Sequence, residues 1–79
     1  MLKKLIIIDD DTPFRERLGR SMEKKGFFVE AFASYEGCLK RCFEESFDYA
    51  VVDMRLEDGS GLELIKKLKE ISPKTKSLL

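Results

Sequence analysis

The sequence predicts an α/β domain built on a parallel β-sheet, and two observations support this fold class. Three short runs of aliphatic and β-branched residues alternate with three segments in which apolar residues recur every three or four positions. This order of strand, helix, strand, helix, strand, helix is typical of a parallel sheet with right-handed crossovers. The first run also lacks polar alternation, which favours a strand buried on both faces. We therefore predict three helices and a three-stranded sheet in the order 2-1-3.

The first strand candidate, residues 2–8, leads into the first predicted helix. Thr12 is a suitable capping residue, and Pro13 would occupy the first position of the helix, where proline is favoured. Gly26, which follows two lysines, predicts the end of this helix because glycine adopts the left-handed conformation common there. The helix carries one apolar stripe with a spacing of four residues, made of Phe14, Leu18 and Met22.

The second strand candidate, residues 27–32, is more amphipathic because it contains Glu30, and Ser34 is a suitable cap for the helix that follows. Cys38 and Cys42 lie four residues apart and therefore share one face of that helix. A metal or redox pair is the alternative, but further soft ligands and the usual redox spacing are missing. We predict that both cysteines are reduced packing residues. The predicted apolar face comprises Tyr35, Cys38, Leu39, Cys42 and Phe43.

The third strand candidate, residues 49–53, is followed by a segment that composition marks as a loop, residues 57–61. The third helix then ends before Pro73, because the residue preceding a proline avoids the helical region. Residues 76–79 predict the opening of a fourth strand. The apolar positions that define the third helix are Leu62, Ile65, Leu68 and Ile71.

Composition excludes several classes of function. The 79 residues allow one small domain, residues 1–79, in which 15 basic residues balance 15 acidic residues. No net charge therefore draws the chain to nucleic acid or to an anionic membrane. The absence of histidine excludes histidine-based catalysis and histidine-ligated zinc. No apolar stretch approaches the ~20 residues of a membrane span, so we expect a cytoplasmic protein that binds neither membrane nor nucleic acid.

Carboxylates follow two of the strand candidates at the point where each strand ends. Asp9, Asp10 and Asp11 come directly after the first strand, and Asp53 closes the third. If these are neighbouring parallel strands, their carboxyl ends meet at one edge of the sheet. Carboxylates this close repel one another, and a hard cation such as Mg²⁺ would remove that penalty. The alternative is that the first three acids only open a solvated turn and cap a helix.

Three motifs, in this order and spacing, resemble the receiver domain of bacterial two-component response regulators. They are IIIDD at residues 6–10, DMRL at residues 53–56 and DGSGL at residues 58–62. The resemblance covers the whole chain, and the chain is similar in particular to redox and photosynthesis-type regulators that also carry a DNA-binding helix-turn-helix. It implies a flavodoxin-like (CheY-like) fold and a role in phosphorelay signal transduction.

The resemblance also implies a role for each site residue. Asp53 matches the phosphoacceptor, the catalytic nucleophile that receives a phosphoryl group from a sensor histidine kinase. Asp9 and Asp10 match the acid pair that holds Mg²⁺, with Asp53 and the backbone carbonyl of Arg55 as further ligands. Asp11 is not part of this pair, and we expect it to cap the first helix. A receiver of this kind is a signalling module rather than an enzyme. The positions that would bind Mg²⁺ are therefore Asp9, Asp10, Asp53 and the carbonyl of Arg55.

The resemblance implies five strands and five helices in a full receiver, whereas this chain stops at the opening of the fourth strand. We therefore expect a truncated receiver that lacks the switch hydroxyl and the lysine of later strands, and whose phosphorylation is impaired. The exposed sheet edge and face predict a homodimer or higher oligomer. A remnant that acts only by oligomerisation is an alternative. A small aspartyl-phosphate phosphatase is disfavoured because Arg55 stands where that class has a second aspartate.

Overall fold

The computed structural model describes residues 2–78. Its elements, in chain order, are β1 (Lys4–Ile8), α1 (Thr12–Lys24), β2 (Phe28–Phe32), α2 (Tyr35–Glu44), β3 (Tyr49–Val52), β4 (Arg55–Leu56), β5 (Gly59–Ser60), α3 (Gly61–Ile71) and β6 (Lys76–Leu78). Four strands form a parallel sheet in the order β2-β1-β3-β6, and β4 pairs with β5 in a separate antiparallel hairpin. The predicted order 2-1-3 is confirmed. The predicted opening of a fourth strand is β6, which pairs with β3, and Leu79 lies outside the described residues.

Strand β1 is the centre of the hydrophobic core. Its last four side chains, residues 5–8, are fully buried. Successive side chains of a strand point to opposite faces, so Ile6 and Ile8 face α2 and α3, while Leu5 and Ile7 face the other side of the sheet. The absence of polar alternation in the sequence thus reflects a strand covered on both faces, as predicted. Leu2 is exposed and lies before β1, so the predicted strand begins two residues too early.

The core cluster that contains Ile6 and Ile8 lies between the sheet and helices α2 and α3. The helices contribute Tyr35, Cys38, Cys42, Leu64, Ile65 and Leu68 to this cluster. Both cysteines are free and buried, in agreement with their predicted packing role. Burial and a hydrogen bond with Cys42 raise the pKa of the Cys38 thiol, the hydrogen bond being the larger effect.

Two predicted core positions are wrong. Phe43 is 67% exposed and Leu62 is 51% exposed, whereas Leu64, which the spacing did not select, is fully buried. The error at Leu62 has a geometric cause. A spacing of three residues falls short of the 3.6 residues in a helical turn, so a run of such steps drifts around the helix. Leu62 and Ile71 consequently lie on different sides of α3.

Helix α1 is terminated at both ends by local hydrogen bonds. Of the two predicted capping residues, Asp11 and Thr12, Asp11 is the N-cap, and its carboxylate accepts a hydrogen bond from the Phe14 N–H at 3.1 Å. At the other end Gly26 has a φ of 99°. The N–H groups of Gly26 and Phe27 donate to carbonyls of the last helical turn, which is the Schellman arrangement. Gly26 therefore ends the helix as predicted.

The apolar stripe of α1 is only partly covered. Leu18 and Met22 are half-buried, and Phe14 is 44% exposed. No residue of α1 is fully buried, although the helix packs against β1 and β2. Within residues 2–78, no helix is long and apolar enough to cross a membrane.

Replacing Leu64 by alanine should destabilise the protein by about 2–5 kcal/mol, because a fully buried leucine loses its contacts and leaves a cavity. Urea unfolding followed by circular dichroism measures this effect. Leu62→Ala is the matched control on the same helix, and it should change the free energy of unfolding by less than about 0.5 kcal/mol. Equal losses in the two variants would contradict the assigned orientation of α3.

Candidate functional site

The acids that follow β1 and β3 are brought together by the pairing of these two strands. Ile8 of β1 is aligned with Val52 of β3 in the parallel register, so Asp9 and Asp53 each lie one residue beyond an aligned pair. The ladder continues past the strands, since the Asp53 N–H donates to the Ile8 carbonyl at 2.9 Å. Both acids therefore leave the sheet at its carboxyl edge and at the same level.

One oxygen from each of Asp9, Asp10 and Asp53 lies within 4.8 Å of the others. Asp9 and Asp53 are half-buried, and Asp10 is exposed. Among residues 2–78, none of the ion pairs includes these three acids, so no cationic side chain offsets their charge directly. The donor set consists of carboxylate oxygens alone, which suits a hard divalent cation such as Mg²⁺ or Ca²⁺.

Local hydrogen bonds fix the two half-buried carboxylates. Asp9 Oδ1 accepts from the Asp11 N–H at 2.9 Å, and Asp53 Oδ1 accepts from the Arg55 N–H at 3.3 Å. The Asp9 carbonyl accepts from Nη1 of Arg15 at 2.7 Å, which ties the first turn of α1 to the end of β1. Each carboxylate retains a second oxygen, and a carboxylate can accept through both.

Two further sequence predictions at this edge have different outcomes. Asp11 is not part of the group of three acids and caps α1 instead, as predicted. The Arg55 N–H bonds to Asp53, but the role of the Arg55 carbonyl as a metal ligand stays a prediction. The alternative reading, in which the acids open a turn and cap a helix, describes the cap at Asp11 and the bond from the Asp11 N–H to Asp9, but it does not account for the proximity of Asp53 to Asp9 and Asp10.

The segment that follows Asp53 is a short hairpin rather than the irregular loop predicted over residues 57–61. Strands β4 and β5 pair Arg55 with Ser60 and Leu56 with Gly59. At the base of this hairpin the Gly61 N–H donates to the Met54 carbonyl at 3.1 Å. A Cβ on Gly61 would lie 2.0 Å from the Asp53 carbonyl oxygen, so only glycine fits at this position.

The tip of the hairpin contacts the start of α2. Asp58 accepts hydrogen bonds from the N–H groups of Tyr35 at 2.9 Å and Glu36 at 3.3 Å. These bonds, that from Tyr35 foremost, lower the pKa of the Asp58 carboxyl. The sequence indicated a turn at Asp58 but not this partner, because the Asp-Gly pair marks a turn without saying which distant donors approach it.

Comparison with known proteins identifies the family. The family model described as the response regulator receiver domain matches residues 5–79. The chain belongs to the response regulator receiver family. The predicted resemblance to photosynthesis-type regulators is also confirmed. The photosynthetic apparatus regulatory protein RegA of Cereibacter sphaeroides is 42% identical over 71 residues, which cover 90% of this chain and 39% of that protein.

Solved receiver structures share the fold. The CheY-like receiver of Methanospirillum hungatei is 32% identical with a TM-score of 0.95, and the match covers 98% of this chain and 62% of that one. A response regulator of Burkholderia pseudomallei, solved with a phosphorylated aspartic acid and a calcium ion, is 32% identical with a TM-score of 0.90. That match covers 95% of this chain and 44% of the other. By comparison with RegA, the chain spans about two fifths of the length of its curated relative.

Gly61→Ala should destabilise this receiver by about 1–3 kcal/mol, because the added methyl group would overlap the Asp53 carbonyl and force the hairpin base to move. Urea unfolding gives the energy, and the amide chemical shift of Asp53 reports the displacement. In the control Gly19→Ala, the nearest atom would be 3.9 Å from the new Cβ. This control should stabilise α1 by up to about 1 kcal/mol. A Gly61→Ala variant as stable as the wild type would contradict the close approach.

Proposed function

We propose that this receiver accepts a phosphoryl group on the Asp53 carboxylate, in a reaction that depends on Mg²⁺ and takes the group from a sensor histidine kinase. The observation that carries the proposal is the group of three carboxylates at the carboxyl edge of the sheet, in a chain of the receiver family. Asp53 is the phosphoacceptor because it directly follows β3 and presents a half-buried carboxylate beside Asp9 and Asp10.

The chemical step is an attack by one carboxylate oxygen of Asp53 on the phosphorus atom. A P–O bond to Asp53 forms, giving an acyl phosphate, while the P–N bond to the kinase histidine breaks and its imidazole leaves with the bonding electrons. The hydrogen bond from the Arg55 N–H to Asp53 Oδ1 holds one oxygen in place and leaves the other free to react. Phosphoryl transfer needs little more from a protein than such positioning and compensation of charge.

Metal binding is assigned in the proposal to Asp9, Asp10 and Asp53, with the carbonyl of Arg55 as a further ligand. Carboxylate oxygens are the ligands that Mg²⁺ prefers, and Mg²⁺ usually takes one or two of them together with water and phosphate oxygens. When bound, the ion would offset the negative charge of the phosphoryl oxygens and orient them. The half-burial of Asp9 and the exposure of Asp10 leave one face of the group open to solvent and to an incoming phosphoryl group.

The proposed role is signalling rather than enzymatic turnover, because one chain would take up one phosphoryl group on its own side chain. The phosphorylated aspartic acid and the calcium ion of the Burkholderia pseudomallei regulator support this assignment through a relative that is 32% identical. A cytoplasmic location, where such a kinase would present its phosphohistidine, belongs to the same proposal.

Incubation with acetyl phosphate and Mg²⁺ should add one phosphoryl group to the chain, and Asp53→Asn should abolish the adduct because an amide is not a nucleophile here. Intact-mass analysis measures the adduct directly. Removal of Mg²⁺ by a chelator should also prevent it. An adduct that persists in Asp53→Asn would place the phosphoacceptor elsewhere, and a folded wild-type chain that never forms one would refute the proposed function.

Two neighbouring acids provide a matched pair of controls for this experiment. Asp10→Asn removes a carboxylate of the group of three and should lower the Mg²⁺ affinity and the rate of adduct formation. Asp11→Asn removes the same charge one residue further on, and asparagine can still cap α1. Asp11→Asn should therefore behave almost as the wild type. Equal effects in the two variants would show that overall charge, rather than the position of the carboxylate, controls binding.

A second candidate property is self-association of the 79-residue chain. Among residues 2–78, strand β6 pairs with β3 alone, and all three of its residues are exposed. Leu78, which is 40% exposed, is aligned with the half-buried Val51 of β3. An edge strand with unpaired N–H and C=O groups readily pairs with a second chain. We propose that two or more copies associate through β6 and the adjacent apolar surface.

Analytical ultracentrifugation at micromolar concentration should show a dimer or a larger species. Leu78→Lys should shift this equilibrium towards the monomer, because it places a charge on the proposed contact. Lys67→Ala on the exposed side of α3 is a control that should leave the equilibrium unchanged. A wild-type chain that sediments as a stable monomer would refute self-association without affecting the proposed phosphorylation.

A further inference from the structure

The hairpin of β4 and β5 connects the proposed phosphoacceptor to helix α2. Each of its strands has only two residues, and an isolated hairpin is at best marginally stable in water. This one must therefore be held by contacts with the rest of the domain. Its base is fixed next to Asp53 by the hydrogen bond from Gly61 to Met54 and by the close approach of Gly61 to the Asp53 carbonyl.

Two apolar contacts hold the middle of the hairpin. Leu56 is buried and belongs to the same core cluster as Tyr35, the first residue of α2. Gly59 lies against the ring of Tyr35, where an added Cβ would approach Cδ2 to 2.7 Å. These contacts hold the hairpin against the first turn of α2.

The tip is fixed by hydrogen bonds that α2 needs at its start. The first turn of a helix has N–H groups without partners inside the helix. In α2 the Gly37 N–H donates to Ser34 Oγ at 3.1 Å, within the local cap. The N–H groups of Tyr35 and Glu36 donate instead to the two carboxylate oxygens of Asp58. A carboxylate is favoured there both by these donors and by the positive end of the helix dipole.

We infer that Asp58 is a positioning residue, whose carboxylate fastens the tip of the hairpin to α2 and so fixes the backbone that presents Asp53. This inference rests on the proposed function, because the backbone it fixes is that of the proposed phosphoacceptor. Asp58 itself touches no reacting atom. It acts through Met54, Gly61 and the backbone of Asp53.

The test compares Asp58→Ala with Ser34→Ala, since both remove a cap of α2 but only the first releases the hairpin. Both variants should unfold at lower urea concentration. Asp58→Ala alone should slow phosphorylation by acetyl phosphate, by about tenfold, which is the size of effect typical of residues that orient a site from outside it. Asp58→Asn keeps one oxygen that can accept from Tyr35 and should recover much of the rate.

Amide hydrogen exchange provides a readout that does not depend on phosphorylation. In Asp58→Ala the Gly61 and Asp53 amides should exchange at least several-fold faster, whereas Ser34→Ala should leave them unchanged. Equal slowing of phosphorylation in both variants, or faster exchange with an unchanged rate, would overturn the inference. If the wild type forms no adduct, the proposed function fails, and exchange at Asp53 alone then decides whether Asp58 fixes this backbone.

Discussion

The parallel pairing of β1 with β3 is the constraint on which the rest of the structure depends. It places Ile8 beside Val52, and the next residues, Asp9 and Asp53, consequently leave the sheet side by side. The side-chain period of a strand is two, so a slip of one residue would turn every buried side chain of β3 towards the opposite face. Burial of Ala50 and Val52 therefore sets the register, and the register sets the distance between acids that are far apart in the sequence.

A site carboxylate must stay solvated and must also be held precisely in place, and a single residue cannot easily meet both requirements. A carboxylate is costly to bury, whereas precise placement depends on burial. Here residues 5–8 are fully buried and supply the placement, while the acids begin at the first position beyond the core. Asp9 and Asp53 are only half-buried, and each has one oxygen bonded to the backbone of the residue two positions later. The fold thus holds the three carboxylates close together, and the proposed cation would offset the repulsion among them.

Much of this arrangement could be predicted from the sequence because its determinants are local. The apolar run at residues 5–8 of β1, the stop at Gly26 and the cap at Ser34 are properties of adjacent residues, and the structure agrees with each. The group formed by Asp9, Asp10 and Asp53 was also predictable, since the carboxyl ends of neighbouring parallel strands meet. The sequence offered both Asp11 and Thr12 as caps of α1, because both residue types are good caps, and the structure selects Asp11.

The remaining features depend on distant parts of the chain. The exposure of Leu62 and the burial of Leu64 follow from the orientation in which α3 packs against β3 and α2, and spacing alone does not determine that orientation. The pairing of Asp58 with the start of α2 joins residues 22 and 23 positions apart. The Asp-Gly turn predicted that the chain reverses there, but not that its carboxylate would complete the cap of another helix.

The most direct test of the central claim is a titration with Mn²⁺ as a paramagnetic substitute for Mg²⁺, followed by nuclear magnetic resonance. One ion would lie among Asp9, Asp10 and Asp53. The amide signals of residues 9 and 10 and of residue 53 should therefore broaden together at the same low Mn²⁺ concentration. The signals of Glu44 and Glu45, acids that lie at the end of α2, should stay sharp under these conditions. Broadening confined to one segment, or spread evenly over all acidic residues, would contradict a shared cation site.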